Sequence, residues 1–84
     1  MNALKIDQAF VQGLTHDAND QKIVRTILDL ARSLDLETIA EGVEEEKTLA
    51  LLRDWGCDYA QGYFYSEPVP PERFGELLRA DVPG

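Results

Sequence analysis

The sequence predicts an α/β domain in which parallel strands alternate with helices that cross over between them. The main observation is a repeated order. A short apolar or β-favouring segment is followed by a longer segment with apolar residues at helical spacing, and this order occurs three times. Each unit takes roughly 30 residues, the usual length of a right-handed parallel crossover. We therefore expect three parallel strands with helices packed on them.

The first unit begins with a strand over residues 3–7, in which Leu4 and Ile6 are the apolar positions. Asp7 stands at the carboxyl end of this strand, and a short helical turn follows it. A cluster of turn and capping residues then precedes a helix over residues 20–34. The apolar stripe of this helix is broad enough to cover a sheet and consists of Ile23, Val24, Ile27, Leu28, Leu30, Ala31 and Leu34.

The second unit consists of a strand over residues 37–41 and a helix over residues 45–55. The strand ends at Glu41 because Gly42 allows backbone angles at which the chain can turn. Consecutive glutamates then favour a helix N-terminus, and Gly56 ends the helix.

The third unit consists of a strand over residues 58–62, which runs into a glycine turn, and a helix over residues 71–80. Pro68, Pro70 and Pro71 separate the strand from the helix, so we interpret this stretch as a connection. Pro71 suits the first position of a helix, where its missing amide hydrogen is not needed.

Composition excludes several classes of function. With 16 acidic and 8 basic side chains, the formal net charge is −8, which argues against binding to nucleic-acid polymers. The single cysteine, Cys57, cannot form an internal disulfide, and no Cys and His cluster predicts structural zinc. No apolar run could cross a bilayer or serve as a signal peptide. We expect a cytoplasmic segment without membrane contact, whose parent protein could carry an anchor elsewhere.

Four polar residues stand at or near the carboxyl ends of the predicted strands, where ligand sites of α/β folds lie: Lys5, Asp7, Glu41 and Gln61. The carboxylate of Glu41 is a hard oxygen ligand suited to Mg²⁺ or Mn²⁺, and the ammonium of Lys5 could neutralise a phosphate. Asp7 could order Lys5 through a salt bridge. The alternative for each carboxylate is an ordinary structural role, in which it caps the following helix or solvates a loop.

Three ordered motifs resemble the closing motifs of the EAL family: Leu-Lys-Ile-Asp at residues 4–7, Ala-Glu-Gly-Val-Glu at residues 40–44, and Gly-Cys-Asp-Tyr-Ala-Gln-Gly-Tyr at residues 56–63, followed by Ser66 and Pro68. Members of this family are phosphodiesterases that hydrolyse the bacterial second messenger cyclic di-GMP to linear pGpG. The resemblance runs from Leu4 to about Leu78 and so covers nearly the whole chain.

The resemblance implies a role for each matching residue. Lys5 looks like the lysine near the attacked phosphate and Glu41 like the glutamate at the metal centre, so both are expected to be catalytic. Asp7 resembles the aspartate that supports the metal-site network, and both Glu41 and Asp7 are therefore metal candidates. Glu44 resembles a second glutamate, which steadies an active-site loop.

Two further residues are expected to contact the substrate, cyclic di-GMP. Gln61 resembles the glutamine that completes the polar rim. Tyr63 follows it closely and could stack on a guanine base, although filling the mouth of a barrel is the commoner use of such an aromatic ring.

The family fold is a (β/α)₈ barrel, and the chain resembles its last three βα units. The implied mechanism uses two Mg²⁺ or Mn²⁺ ions to activate the attacking water. The Glu-Ala-Leu signature and most of the metal ligands are expected upstream of Leu4, so the chain alone is predicted to be inactive. Three parallel strands would leave two unpaired edges, and we expect them to be completed by self-association or by the missing half of the barrel.

Two other interpretations stay open. The chain could be a non-catalytic EAL-like module that binds the nucleotide or a partner protein through the retained rim. It could also be an unrelated small α/β domain, for example a flavodoxin-like one, but that fold needs a sheet of five strands that the sequence does not provide.

Overall fold

The computed structural model describes residues 2–62 and 65–80, and the side chains of residues 65–67 and 78–80 lie outside this description. The elements of the described chain are β1 (Ala3–Ile6), α1 (Gln8–Val11), α2 (Ala18–Ser33), β2 (Glu37–Ala40), α3 (Glu46–Asp54), β3 (Tyr59–Gly62), β4 (Tyr65–Val69) and α4 (Pro71–Ala80).

The strands form a single sheet in the order β1-β2-β3-β4. The first three strands are parallel, with Lys5 opposite Ile39 and Ile39 opposite Tyr59, and β4 is antiparallel to β3. The helices α2 and α3 connect the parallel strands, as a parallel sheet requires. The chain is therefore an α/β unit with a mostly parallel sheet, which is the class that the sequence predicts.

The fourth strand corrects one expectation, because residues 65–69 were interpreted as part of a connection. Ala60 lies opposite Val69 and Gly62 opposite Tyr65, with an irregular register between them. Pro68 lies within β4, and proline is tolerated on an edge strand because its missing amide hydrogen can face away from the ladder. The edge of β3 that we expected to be open is thus paired with β4.

The helices cover one face of the sheet. Ile6, Ala40 and Ala60 form one row across β1, β2 and β3 and are at most 1% exposed. The residues that share this core come from all four helices and the loops between elements: Val11, Leu14, Val24, Leu28, Val43, Leu49, Leu52, Cys57 and Phe74. The opposite face of the parallel strands carries the other, alternating side chains.

Helix α2 has two different flanks on either side of its core-facing residues. One flank contacts the end of α3: the guanidinium of Arg25 lies 5.4 Å from the ring centre of Trp55, and Arg32 Nη2 donates to the carbonyl of Trp55 at 3.3 Å. The other flank is apolar and open, and we call it the α2 apolar flank; it consists of Ile23, Leu30 and Leu34, which are 38%, 53% and 57% exposed. At 100° per residue, this flank points away from α3 and towards the side of β1.

Long-range polar contacts hold the start of β2 to the start of β3. Thr38 Oγ1 donates to Asp58 Oδ2 and accepts from the Asp58 amide, both at 3.1 Å, and the Thr38 amide donates to the same carboxylate at 2.9 Å. Thr38 is only 2% exposed. These bonds satisfy polar groups that the parallel ladder would otherwise leave buried without partners.

Candidate functional site

The strand register places four of the sequence-predicted residues on one face and at one end of the sheet. Because side chains alternate along a strand, Lys5 and Asp7 project to the face opposite the buried Ile6. Glu41 and Gln61 follow the buried Ala40 and Ala60 in the same way and lie on the same face. This face is the one that the helices leave open, and this end is where the parallel strands finish.

Backbone hydrogen bonds continue the sheet beyond the end of β2. The amide of Glu41 donates to the carbonyl of Ile6 at 3.0 Å, and the amide of Val43 donates to the carbonyl of Gln61 at 3.0 Å. The loop that carries Glu41 is therefore bound to β1 on one side and to β3 on the other. Glu41 and Gln61 are both half-buried, whereas Lys5 is exposed.

Asp7 does not form the predicted salt bridge with Lys5 within the described part of the chain. Its carboxylate instead accepts from the Ala9 amide at 2.8 Å and so caps α1. This is the structural alternative that the sequence left open, since a carboxylate at a helix N-terminus satisfies a free amide there. One oxygen of Asp7 is thus occupied by the helix cap.

The turn after Glu41 depends on a glycine. Gly42 has φ +74°, in the left-handed region, and a Cβ built on it would lie 2.5 Å from Cβ of Gln8. Neither the backbone angle nor this distance suits a residue with a side chain. Glu44 is exposed further along the same loop, where it lines a cavity of about 140 Å³ together with Val11 and Gln12.

Tyr63 lies outside the described residues, so its predicted contact with substrate stays a prediction. Tyr59 lies two residues before Gln61 on the same face, at the start of β3 and therefore away from the rim. Its hydroxyl donates to Glu37 Oε2 at 3.0 Å, and this hydrogen bond together with the negative charge of Glu37 raises the pKa of Tyr59. This hydrogen bond joins the starts of β2 and β3, so Tyr59 does not belong to the candidate site.

The rim supplies an incomplete set of metal ligands. Asp7 and Glu41 are carboxylates at the ends of neighbouring strands, and Mg²⁺ commonly binds through one or two carboxylates with several waters. Among the described residues, however, no group of three or more His, Cys, Asp or Glu side chains could hold an ion. These residues fit a share of a divalent-cation site and not a whole one.

The chain has a mostly parallel sheet with helices on one face and polar residues at the carboxyl ends of its strands. These features are typical of α/β proteins that bind ligands at that rim. The EAL domain family model matches residues 1–68, and the chain belongs to the EAL family. No described helix is long and apolar enough to span a membrane.

Similar proteins agree with this assignment. The chain is 39% identical over 80 residues to the cyclic di-GMP phosphodiesterase NbdA of Pseudomonas aeruginosa, covering 95% of this chain and 10% of NbdA. It is 43% identical over 70 residues to the bifunctional diguanylate cyclase/cyclic di-GMP phosphodiesterase MucR of the same organism, covering 83% of this chain and 10% of MucR. The first of the curated relatives are much longer, and the chain spans only 10–14% of their length.

Solved structures show the same fold. The EAL domain of DcpA from Mycobacterium smegmatis has a TM-score of 0.71 at 38% identity, with 99% of this chain and 38% of that chain covered. The MucR phosphodiesterase in complex with c-di-GMP has a TM-score of 0.72 at 41% identity, with 87% of this chain and 30% of that chain covered.

Proposed function

We propose that the chain is part of a phosphodiesterase that hydrolyses cyclic di-GMP to linear pGpG, and that it corresponds to the last three βα units of a (β/α)₈ barrel. The observation that carries this proposal is the common placement of Lys5, Asp7, Glu41 and Gln61 on one face and at one end of the parallel strands, in a chain of the EAL family. Relatives named as cyclic di-GMP phosphodiesterases support the choice of substrate.

Each rim residue has a chemical task in this proposal. The Lys5 ammonium binds a phosphate oxygen of the substrate, and the half-buried Gln61 amide donates to and accepts from polar substrate atoms. Glu41, with Asp7 beside it, holds a divalent cation, Mg²⁺ or Mn²⁺, and two such ions are expected in the intact domain. When bound, such ions lower the pKa of a coordinated water and stabilise negative charge on the phosphate. Positive charge at the rim also allows an acidic chain to accept an anionic dinucleotide.

The chain by itself is expected to lack activity. Within the described residues no group of three or more His, Cys, Asp or Glu side chains could hold an ion, and Asp7 already caps α1. Two-metal hydrolysis needs ligands on both ions, so the remaining ligands have to come from other chain segments. This requirement makes the completion of the sheet part of the functional proposal.

Three surfaces are available for that completion. Strand β1 is at the edge of the described sheet and pairs only with β2 there. The α2 apolar flank points to the same side as this edge, and the open sheet face carries the half-buried Ile39 and Tyr59. Backbone edges and apolar surface of this kind are stabilised by pairing with another strand and helix. We propose that they are covered by the missing part of the barrel or by a second copy of the chain.

The test is hydrolysis with and without a complementing segment. The chain is refolded alone, or with the part of the M. smegmatis DcpA EAL domain that it does not match, and is incubated with cyclic di-GMP and Mn²⁺. Chromatography then measures pGpG. We expect turnover only from the complex, with loss of activity in Glu41→Gln and full activity in the control Glu72→Gln, which changes an exposed carboxylate in the first turn of α4. Turnover by the chain alone, or by the Glu41→Gln complex, would contradict the proposal.

The small number of rim carboxylates also favours a second candidate, a non-catalytic module that binds the nucleotide or a partner protein. Calorimetry of the chain with cyclic di-GMP, with and without Mg²⁺, separates the two. Binding of cyclic di-GMP by the chain, with no hydrolysis by the complemented domain in Mn²⁺, would favour the module, because the phosphodiesterase requires metal-assisted hydrolysis and not binding alone.

A further inference from the structure

Gly62 sits in a contact between three elements. It is the last residue of β3, and a Cβ built on it would lie 2.6 Å from the carbonyl oxygen of Val43 and 2.8 Å from Cζ of Phe74. Both distances are too short for a real Cβ. The strand end, the loop after β2 and the ring from α4 therefore meet without space for a side chain between them.

The ring of Phe74 is fixed on its other sides. Phe74 is 1% exposed and belongs to the core that the helices form on the sheet. Gly62 lies between the ring and Val43. Val43 is also 1% exposed, and its amide donates to the carbonyl of Gln61 at 3.0 Å. Close-packed interiors have little free volume, so a displacement of the ring has to move Gly62, Val43 or both.

Val43 is two residues from Glu41 in the same short loop. On the far side of that loop, Gly42 lies against Gln8, where a Cβ would be 2.5 Å from the Gln8 side chain. The loop is therefore held between α1 on one side and the pair of Gly62 and Phe74 on the other. A shift of the loop backbone next to Glu41 would have to open one of these contacts.

We propose that Phe74 is a positioning residue for Glu41: its ring, packed against Gly62, fixes Val43 and through it the backbone that carries the Glu41 carboxylate. The proposal rests on the proposed function only in giving Glu41 a task. Phe74 itself is buried on the helix-covered side of the sheet, opposite to the face that carries Glu41. A residue 33 positions beyond Glu41, in a helix, would thus control the geometry of the site.

The test uses Phe74→Tyr in the whole chain. A tyrosine hydroxyl is attached to Cζ, the ring atom nearest to Gly62, so this variant keeps the ring but presses on the contact. Amide hydrogen exchange measured by NMR reports on Val43, and the amide of Leu28 in α2 reports on the core. We expect exchange of the Val43 amide to rise by about 10-fold or more, and that of the Leu28 amide by less than about 3-fold.

The matched control is Val24→Ala, which removes buried volume from α2 at a position that is 0% exposed. It should not raise exchange of the Val43 amide more than that of the Leu28 amide, because the volume is lost beside Leu28 in α2 and not at the Glu41 loop. If Phe74→Tyr fails to fold, Gly62→Ala presses on the same contact from the opposite side and should give the same selective effect. An unchanged ratio of Val43 to Leu28 exchange in the folded variant, or a selective rise of Val43 exchange in Val24→Ala, would overturn the proposal.

Exchange rates do not depend on hydrolysis, so the outcome is separate from that of the proposed function. Activity of the complemented domain then adds a second readout. If both proposals hold, Phe74→Tyr and Phe74→Leu both lower kcat, the first because it pushes the loop away and the second because it removes the ring that holds the loop. A domain that never hydrolyses cyclic di-GMP would leave the exchange result as the measure of whether Phe74 holds the loop.

Discussion

Replacing Gly42 by alanine is the sharpest test of how the Glu41 loop is built. Gly42 has φ +74°, and holding a residue with a Cβ in the left-handed region costs about 1–2 kcal/mol. The new Cβ would also lie 2.5 Å from Cβ of Gln8, and overpacking of this kind costs about 1–3 kcal/mol more. We expect Gly42→Ala to lower the free energy of unfolding by about 3 kcal/mol.

Two controls separate the backbone contribution from the clash. Gly56 has φ +85°, but a Cβ there would meet only Nη2 of Arg32, the movable end of a long side chain. Gly56→Ala should therefore cost only the backbone part, about 1–2 kcal/mol. The double variant Gly42→Ala with Gln8→Gly lacks the opposing Cβ. Its loss in the free energy of unfolding should therefore also fall towards the backbone part alone.

Urea unfolding followed by circular dichroism measures all of these variants, with an unchanged m-value as the sign that only stability has changed. The reasoning is refuted if Gly42→Ala and Gly56→Ala lose the same free energy, or if Gln8→Gly gives no relief. Either result would mean that the loop moves freely past α1, and Glu41 would then not be held as described.

Three further predictions concern the sheet, the buried thiol and the open flank. Thr38→Val keeps the shape of the side chain but leaves the Asp58 amide without its acceptor, so the free energy of unfolding should fall by about 1–3 kcal/mol in urea. Burial raises the pKa of the Cys57 thiol above its ordinary value of 9.0. The stability due to the neutral thiol is therefore present below pH 9 and is lost as the pH rises through the folded-state pKa. Cys57→Ala should remove this part of the pH dependence of the free energy of unfolding. Leu30→Glu places a charge on the α2 apolar flank and should weaken association of the chain, measured by sedimentation.

Each of these predictions has a control elsewhere in the chain. Thr26→Val alters a hydroxyl on the exposed side of α2 and should change stability by no more than about 0.5 kcal/mol. For the thiol, an alanine variant that follows the same pH curve as the parent chain would show that Cys57 does not contribute. For the flank, Lys22→Glu also adds negative charge to α2 at an exposed position, and an equal effect on sedimentation would point to charge alone.

The α/β class could be predicted because the strand-and-helix order is a local property of the sequence. Strand β4 could not, because Pro68 argues against a strand unless one knows that the strand lies at an edge. That knowledge depends on the position of β3, which is a tertiary fact. The same holds for the bond between Thr38 and Asp58, which joins residues 20 positions apart.

The candidate site could be predicted as far as its residues follow the period of a strand. Lys5, Glu41 and Gln61 each stand one residue away from a buried strand position, and the shared face follows from that spacing and the parallel register. The role of Asp7 as a cap was one of two alternatives that the sequence could not separate. The contact between Gly62 and Phe74 was beyond prediction, because only a packed structure brings α4 to the end of β3.

Side chains alternate between the two faces of the parallel strands, so neighbouring positions are under selection for different properties. Ile6, Ala40 and Ala60 are buried in the core, whereas their neighbours Lys5 and Glu41 lie on the opposite face, and the Glu41 amide donates to the carbonyl of Ile6. A survey of substitutions along these strands should therefore give a signal that alternates from residue to residue, in which one set of positions governs how much protein accumulates and the other governs what the accumulated protein does. Substitutions at the rim could accordingly change which ligand is bound while the free energy of unfolding of the sheet stays nearly the same.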